Sequence, residues 1–386
     1  MRFLLLLIIL FYQPLNGVAQ ALRDINYRYQ YNPEENLRFV MNTVRGAEQH
    51  TTYFRLQMLD SITPSNDYTI EWQLRDALSD KTGKTITSED TKFKNHEITG
   101  SIHYPVTAAT VVVAKVISAK QNRAWNFYQI QDKNYPVNDI LLKKNEGVYD
   151  PYINAAQSFT IPSDGGARTV SFYSQNFPTA VPPFAESQGR VSKGMKPNSV
   201  FSVQPGQQVS FTRKGLYLMQ KDSASNEGYA FRVEDDYPRL ATVESLADPL
   251  IYICTKEEFT KVKQAKGDKK AFDKVILGIT GDKDRARNLF RSYFKRVEMA
   301  NVLFSSYKEG WKTDRGMIYI IFGVPDAVYK FTDREVWNYK NDSFKVDFTF
   351  VRSSTLFDPE NYVLVREKSV KETWYEVIDL WRNARF

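Results

Sequence analysis

Cysteine is nearly absent: Cys254 is the one example in 386 residues. No intramolecular disulfide can form, and zinc sites built on cysteine are excluded. Histidine is almost as scarce, with His50, His96 and His103 all in the first third of the chain. They fall on or near expected strands and no G-x-S-x-G is present, so a Ser–His–Asp triad has no support. Walker A and G-x-G-x-x-G patterns are missing too. No period of roughly 20–50 residues marks a repeat array. Beyond the N-terminus, no run is long and apolar enough to cross a bilayer. The net charge of +7 is dispersed among acidic residues. The tightest basic run, Lys261 to Lys270, is broken by Asp268 and reads as a solvated helix face. No nucleic-acid module accompanies it, so no nucleic-acid partner is expected. The surplus charge fits weak attraction to anionic envelope surfaces such as lipid headgroups.

The chain does contain a globular composition, 42% hydrophobic and 25% charged, long enough for two or three domains. Its 14% aromatic content, mostly Phe and Tyr, favours β-rich architecture. Met1-Arg2 followed by the apolar run Phe3 to Tyr12 has the form of a signal peptide. Small residues at Gly17, Val18 and Ala19 predict cleavage after Ala19, with Ala21 as the alternative. No cysteine follows the apolar run, which excludes lipoprotein processing. The expectation is a protein exported through a cleaved signal peptide (1–19), periplasmic or associated with the outer membrane, with no transmembrane segment in the mature chain. Cys254 ends the apolar run Leu250 to Cys254 and reads as a small buried hydrophobe, not a nucleophile.

Alternation at period two predicts strands at Leu37 to Val44, Thr52 to Leu59, Tyr68 to Leu74, Ile98 to Tyr104, Thr110 to Ile117 and Trp125 to Ile130. Six or seven short strands at this spacing predict an immunoglobulin-like β-sandwich over 22–137. A second β-region follows over 138–237, with strands at Ser158 to Ile161, Thr169 to Tyr173, Gln208 to Thr212, Leu216 to Gln220 and Gly228 to Val233. It contains a long Pro/Gly loop, Asn176 to Asn198, of the kind that is functional or disordered. From 238 to 386 the pattern becomes α+β. Helical spacing covers Glu257 to Lys266, Asp268 to Leu277 and Asp282 to Tyr307, the last started by Thr280 or Asp282 and stopped by Gly310. Met317 to Phe322 reads as a buried strand, with further strands at Glu335 to Tyr339, Val346 to Val351 and Tyr362 to Val365. A final helix spans Val370 to Arg385, with Trp374, Ile378 and Trp381 on one side.

The segment Gly310-Trp311-Lys312-Thr313-Asp314-Arg315-Gly316 joins the long helix to that apolar run. Gly310 suits a helix end. Trp311 can bury a large surface. Thr313 and Asp314 suit a turn in which they bond backbone amides. Arg315 can pair with Asp314 or Asp326, and Gly316 permits a tight entry to the next element. Gly323-Val324-Pro325-Asp326 forms a second turn. This segment, followed by Met317 to Asp326, resembles the signature of the GWxTD domain-containing proteins, exported proteins found largely in Bacteroidota. The resemblance takes in Phe294 to Val297, Ala300-Asn301, Glu335 to Tyr339 with Trp337, and the Phe344 to Phe350 strand. It implies an envelope address and a fold, not a reaction.

The function expected is a non-catalytic binding or scaffold protein of the periplasmic or outer-membrane envelope, with a protein partner there. The Asn176 to Asn198 loop and the turn faces near Trp311 are the expected contact surfaces. One alternative is an envelope-glycan hydrolase or glycan-binding module using Asp314 and Asp326, with Glu335 as a third carboxylate. Another is a periplasmic chaperone for exported chains. The tryptophans with Tyr339 are expected in the core, although exposed they would stack on sugars. No catalytic residue, metal or cofactor is assigned, and Asp235-Asp236 reads as an exposed turn.

Overall fold

A computed structural model describes residues 20–386, apart from 61–62, 108, 133–137, 143–150, 156, 164–165, 187–194, 225, 266 and 341–343. The expected signal peptide lies outside the described residues, as do parts of the 138–154 connection and of the Asn176 to Asn198 loop.

Eight strands build two facing antiparallel sheets. They are β1 (Leu37–Arg45), β2 (Gln49–Met58), β3 (Tyr68–Arg75), β4 (Lys84–Ile86), β5 (Glu89–Lys94), β6 (Glu97–Pro105), β7 (Ala109–Ser118) and β8 (Arg123–Asp132). One sheet has the order β1-β2-β6-β5 and the other β4-β3-β7-β8. Alternation explains the packing: β2 buries every second residue, from His50 through Phe54 and Leu56 to Met58. These meet Trp72, Val112, Ala114, Val116 and Trp125 of the facing sheet in one core. All six expected strands are present. The polar β4 and β5 were not expected, because neither carries the apolar alternation that marks a half-buried strand.

The second region contributes β9 (Tyr152–Asn154), β10 (Ser158–Thr160), β11 (Arg168–Tyr173), β12 (Ser199–Val203), β13 (Gln208–Ser210), β14 (Gly215–Gln220) and β15 (Tyr229–Glu234). Five form a sheet in the order β12-β11-β14-β15-β9, and β10 pairs with β13. The central strand β14 is buried at every position. One face, with Tyr217 and Met219, joins the region's own core. The other, with Leu216 and Leu218, packs with Phe177 against Tyr307, Leu356 and Phe357 of the last third. A strand buried on both faces reads as a continuous apolar run, as Leu216 to Met219 does.

The last third holds α1 (Val243–Ala247), α2 (Lys256–Gln264), α3 (Lys269–Thr280), α4 (Lys283–Phe304), α5 (Asp314–Phe322) and α6 (Lys371–Arg382). Its antiparallel meander is β16 (Ala327–Lys330), β17 (Arg334–Lys340), β18 (Lys345–Arg352) and β19 (Tyr362–Leu364). Asp282 caps α4 by accepting from the amides of Asp284 and Arg285. Leu289, Tyr293, Val297, Ala300 and Phe304 form the buried stripe of α4. On α6 the buried residues are Trp374, Val377, Ile378 and Trp381.

Two expectations fail here. Met317 to Phe322 is helix, not strand. The run is buried all round, so it shows no period, and a short apolar run does not separate the two states. Capping decides: the Thr313 side chain accepts from the Gly316 amide at the start, and Gly323 at φ +85° ends the helix. Nor does Gly310 stop α4, which ends at Phe304 with Ser305 extended.

One feature has no local sequence signal. The arm before β1 buries Leu22, Tyr27 and Tyr31. The Tyr27 amide donates to the Val328 carbonyl at 2.8 Å, and the Val328 amide donates to Asn26 Oδ1 at 2.9 Å. The arm thereby covers the free edge of β16.

Candidate functional site

Residues 310–312 form a single 3-10 turn pressed against α4. A Cβ on Gly310 would stand 2.1 Å from the Ala300 carbonyl oxygen, so only glycine fits. The Gly310 amide donates to Tyr237 Oη at 3.1 Å and Ser305 Oγ at 3.2 Å. Trp311 is buried, as expected. Its amide donates to Asn301 Oδ1 at 3.0 Å, and its carbonyl accepts from Tyr252 Oη at 2.9 Å. Thr313 Oγ1 donates to the Gly310 carbonyl at 2.7 Å and accepts from the Gly316 amide at 3.0 Å. A Cβ on Gly316 would lie 1.9 Å from that same carbonyl oxygen. Two glycines and one hydroxyl thus fold the turn back onto the first residues of α5.

Asp314 reaches out of this turn. Its Oδ2 accepts from the Leu364 amide on β19 at 2.9 Å, and its Oδ1 accepts from Arg366 Nη2 at 2.7 Å. Asp314 is buried and Arg366 nearly so. Arg366 also donates to the Leu364 and Val181 carbonyls. Arg315 pairs with neither expected aspartate. It lies 3.5 Å from Glu335 Oε1 and stacks over Phe304 and Tyr362.

Glu335 is a fully enclosed carboxylate. It accepts from Tyr31 Oη at 2.9 Å and Trp337 Nε1 at 3.1 Å, and Lys330 Nζ lies at 3.2 Å. Burial alone would raise its pKa, but Lys330 and Arg315 outweigh that and hold it below the ordinary value. Trp337 and Tyr339 are core residues, as expected. Tyr339 Oη donates to the Gly323 carbonyl at 2.9 Å. Pro325 offers its carbonyl to Arg28 Nε at 3.0 Å. Asp326 is exposed and accepts from the Lys340 amide at 2.6 Å.

The site residues therefore separate into three groups. Gly310, Trp311, Thr313, Asp314 and Gly316 meet at the start of α5, and Gly323, Pro325, Asp326 and Tyr339 meet beyond its end. Arg315 joins Trp337 through Glu335. Asp314, Asp326 and Glu335 have separate partner sets, and among the described residues no three His, Cys, Asp or Glu side chains gather as a metal site.

The residues that sequence reasoning missed are the ones that hold the turn. Asn301, fully buried, accepts from Trp311 and donates to the Pro238 carbonyl at 2.9 Å. Lys312, also buried, donates to Asn176 Oδ1 at 2.6 Å and Glu309 Oε1 at 2.8 Å. Arg232 of β15 pairs with Glu234 and lies 3.5 Å from Glu309. The described part of the Pro-rich loop packs on this same turn. The Ala180 amide donates to the Lys312 carbonyl at 3.0 Å, and Lys308 Nζ donates to the Pro178 carbonyl at 3.3 Å. Phe177 meets Tyr307, and Phe184 meets Tyr375.

A cleft of about 580 Å³ opens beside Arg315, between the sandwich and the last third. Edge strands β1 and β8 form one wall through residues such as Val40 and Gln129, and α4 forms the other through Met299 and Val302. Arg38 spans it, donating to the Val302 carbonyl at 3.1 Å.

Comparison with known proteins adds the following. No curated protein matches the chain. A crystal structure of a DUF4426 family protein from Pseudomonas aeruginosa is similar over 26% of this chain and 92% of its own, at 15% identity and a TM-score of 0.19. Residues 215–383 match the family model of the GWxTD domain, and that match begins at the first residue of β14. The turn at 310–314 carries the glycine, tryptophan, threonine and aspartate of that domain's name, and the chain belongs to the GWxTD domain-containing proteins.

Proposed function

We propose that the protein is a non-catalytic binding or scaffold protein of the cell envelope, exported through its N-terminal segment, and that the cleft beside Arg315 is where it engages a protein partner. The sandwich is read as immunoglobulin-like in size and packing. The observation that carries the reading is the contrast between motif and cleft. The motif's polar groups are committed internally: Thr313 caps α5, Asp314 holds β19 and Arg366, and Lys312 holds the Pro-rich loop. The cleft instead borders two sheet edges and mixes apolar and aromatic walls with polar and charged groups such as Arg38, Arg315, Lys330 and Glu360, the form of a recognition site.

In-cell photocrosslinking in the native host, followed by mass spectrometry, tests this. A photoreactive residue at Val40 in the cleft is compared with one at Phe93, exposed on the opposite edge of the same sheet. One stoichiometric envelope protein captured from Val40 and not from Phe93 supports the reading. A protein recovered alone from both positions sinks it. The next step is then a glycan-binding screen with Asp314→Asn as control.

A further inference from the structure

The five-stranded sheet ends at β12, and among the described residues no segment covers this edge. Edge strands in natural proteins are blunted by charge, proline, bulges, short length or a covering segment. Here β5 carries Glu89, Asp90, Lys92 and Lys94 with a register shift, β16 is covered by the N-terminal arm, and β4, β9 and β19 have three residues each. Strand β12, Ser199-Val200-Phe201-Ser202-Val203, contains neither charge nor proline. Val200 is 56% exposed and Phe201 41%. Among the described residues, Val200 to Ser202 make no backbone hydrogen bond beyond the pairing with β11.

The ends of the segment around this edge, Pro197-Asn198-Ser199-Val200-Phe201-Ser202-Val203-Gln204-Pro205, are symmetric about Phe201, with proline mirroring proline and Asn198 mirroring Gln204, while Ser199 mirrors Val203 and Val200 mirrors Ser202. We propose that β12 pairs antiparallel with β12 of a second copy of this chain, about a two-fold axis at Phe201, joining the two sheets into one. A two-fold interface requires a self-complementary patch, and this register provides one. Phe201 stands opposite the partner's Phe201, an aromatic cross-strand pair. Val200 stands opposite the partner's Ser202, and Asn198 opposite the partner's Gln204, two side-chain amides able to bond each other. Pro197 stands opposite the partner's Pro205, so the ladder stops at both ends where a donor is missing. Lys196 meets the partner's Gly206, so no like charges oppose. Moving the centre to Val200 or Ser202 sets a proline against a residue of the strand. The contact is short and falls below the ~1,000 Å² of a stable interface, so the dimer is weak and concentration-dependent.

Sedimentation velocity and disulfide trapping test this. The wild-type protein is expected to dimerise at about 100 µM and to dissociate on dilution to about 1 µM. Phe201→Lys sets like charges face to face and is expected to leave a monomer with unchanged circular dichroism and melting temperature. In a Cys254→Ala background, Phe201→Cys is expected to form a covalent dimer on mild oxidation, because directly opposed antiparallel residues have Cα atoms about 4.5–5.5 Å apart, within disulfide reach. Ser199→Cys is expected to stay uncrosslinked, since the two copies of that position lie about 13 Å apart along the strands. A wild-type monomer at the high concentration overturns the proposal. So does a dimer that survives Phe201→Lys, or crosslinking by Ser199→Cys equal to that by Phe201→Cys. The cysteine pair decides the register even where the lysine variant does not fold.

Discussion

Asp314→Asn separates a structural aspartate from a catalytic one. The substitution keeps the shape and an acceptor for the Leu364 amide but removes the charge that faces Arg366 at 2.7 Å. The side chains are 3% and 11% exposed, so Arg366 is left charged in a largely dry site. Removing one partner of a buried pair costs about 3–5 kcal/mol. Arg366 keeps the Leu364 carbonyl at 3.2 Å and the Val181 carbonyl at 3.3 Å, which places the loss near the lower end. A loss of about 3 kcal/mol lowers the melting temperature by roughly 6–12 °C for a cooperative unit of about 150–250 residues. The assay is thermal and urea unfolding followed by tryptophan fluorescence. Trp311, Trp337, Trp374 and Trp381, four of the six tryptophans, report from the last third. Adding Arg366→Met to Asp314→Asn removes the stranded charge and is expected to recover about 1–2 kcal/mol, visible as non-additivity. A melting temperature that moves by less than about 2 °C, or a double variant that is simply additive, refutes the assignment of Asp314 to the β19 tie.

Glycine provides a paired prediction. Gly316→Ala drives a Cβ to 1.9 Å from the Gly310 carbonyl oxygen and is expected to cost about 3 kcal/mol or more, measured by urea midpoint. Gly278→Ala in α3 meets nothing within 4 Å and is expected to stabilise by about 0.5–1 kcal/mol in the same assay. Two carboxyls set opposite pH slopes. The hydrogen bonds from Arg382 hold Glu258 down at about 2 against an ordinary 4.5, so its contribution is full above pH 4.5 and lost as pH falls towards 2. Glu258→Gln is expected to flatten that part of the stability–pH curve. Burial pushes Asp358 up to about 6 from 3.8, so folding becomes less favourable as pH rises from 3.8 through 6 and is level above. Asp358→Asn, which can still accept from the Glu360 amide, is expected to raise the melting temperature at pH 7 and abolish that decline.

Sequence alone determined the elements whose burial repeats at a fixed period. The six main sandwich strands, the buried stripe of α4, the tryptophan face of α6 and strands β17 to β19 were legible because one face of each meets a core. It also determined the family, through the spacing of Gly310, Trp311, Thr313 and Asp314. Tertiary structure decided everything that depends on a partner far along the chain. The run at Met317 to Phe322 is helical because Thr313 caps it and Gly323 ends it, and a surface buried on all sides carries no period. Arg315 chose Glu335 over two nearer aspartates because burial placed that carboxylate within 3.5 Å. Tyr31 lies 304 residues from Glu335, and Asp314 lies 50 from Leu364, so no window of the sequence contains both partners. The Pro-rich loop, expected as a free contact surface, buttresses the turn over its described part because it adds Asn176 Oδ1 and the Val181 carbonyl to the oxygen partners of Lys312 and Arg366. Local pattern records which surface each segment must bury; which groups then meet is set by the closing of long loops, whose chemistry appears only when both ends are in place.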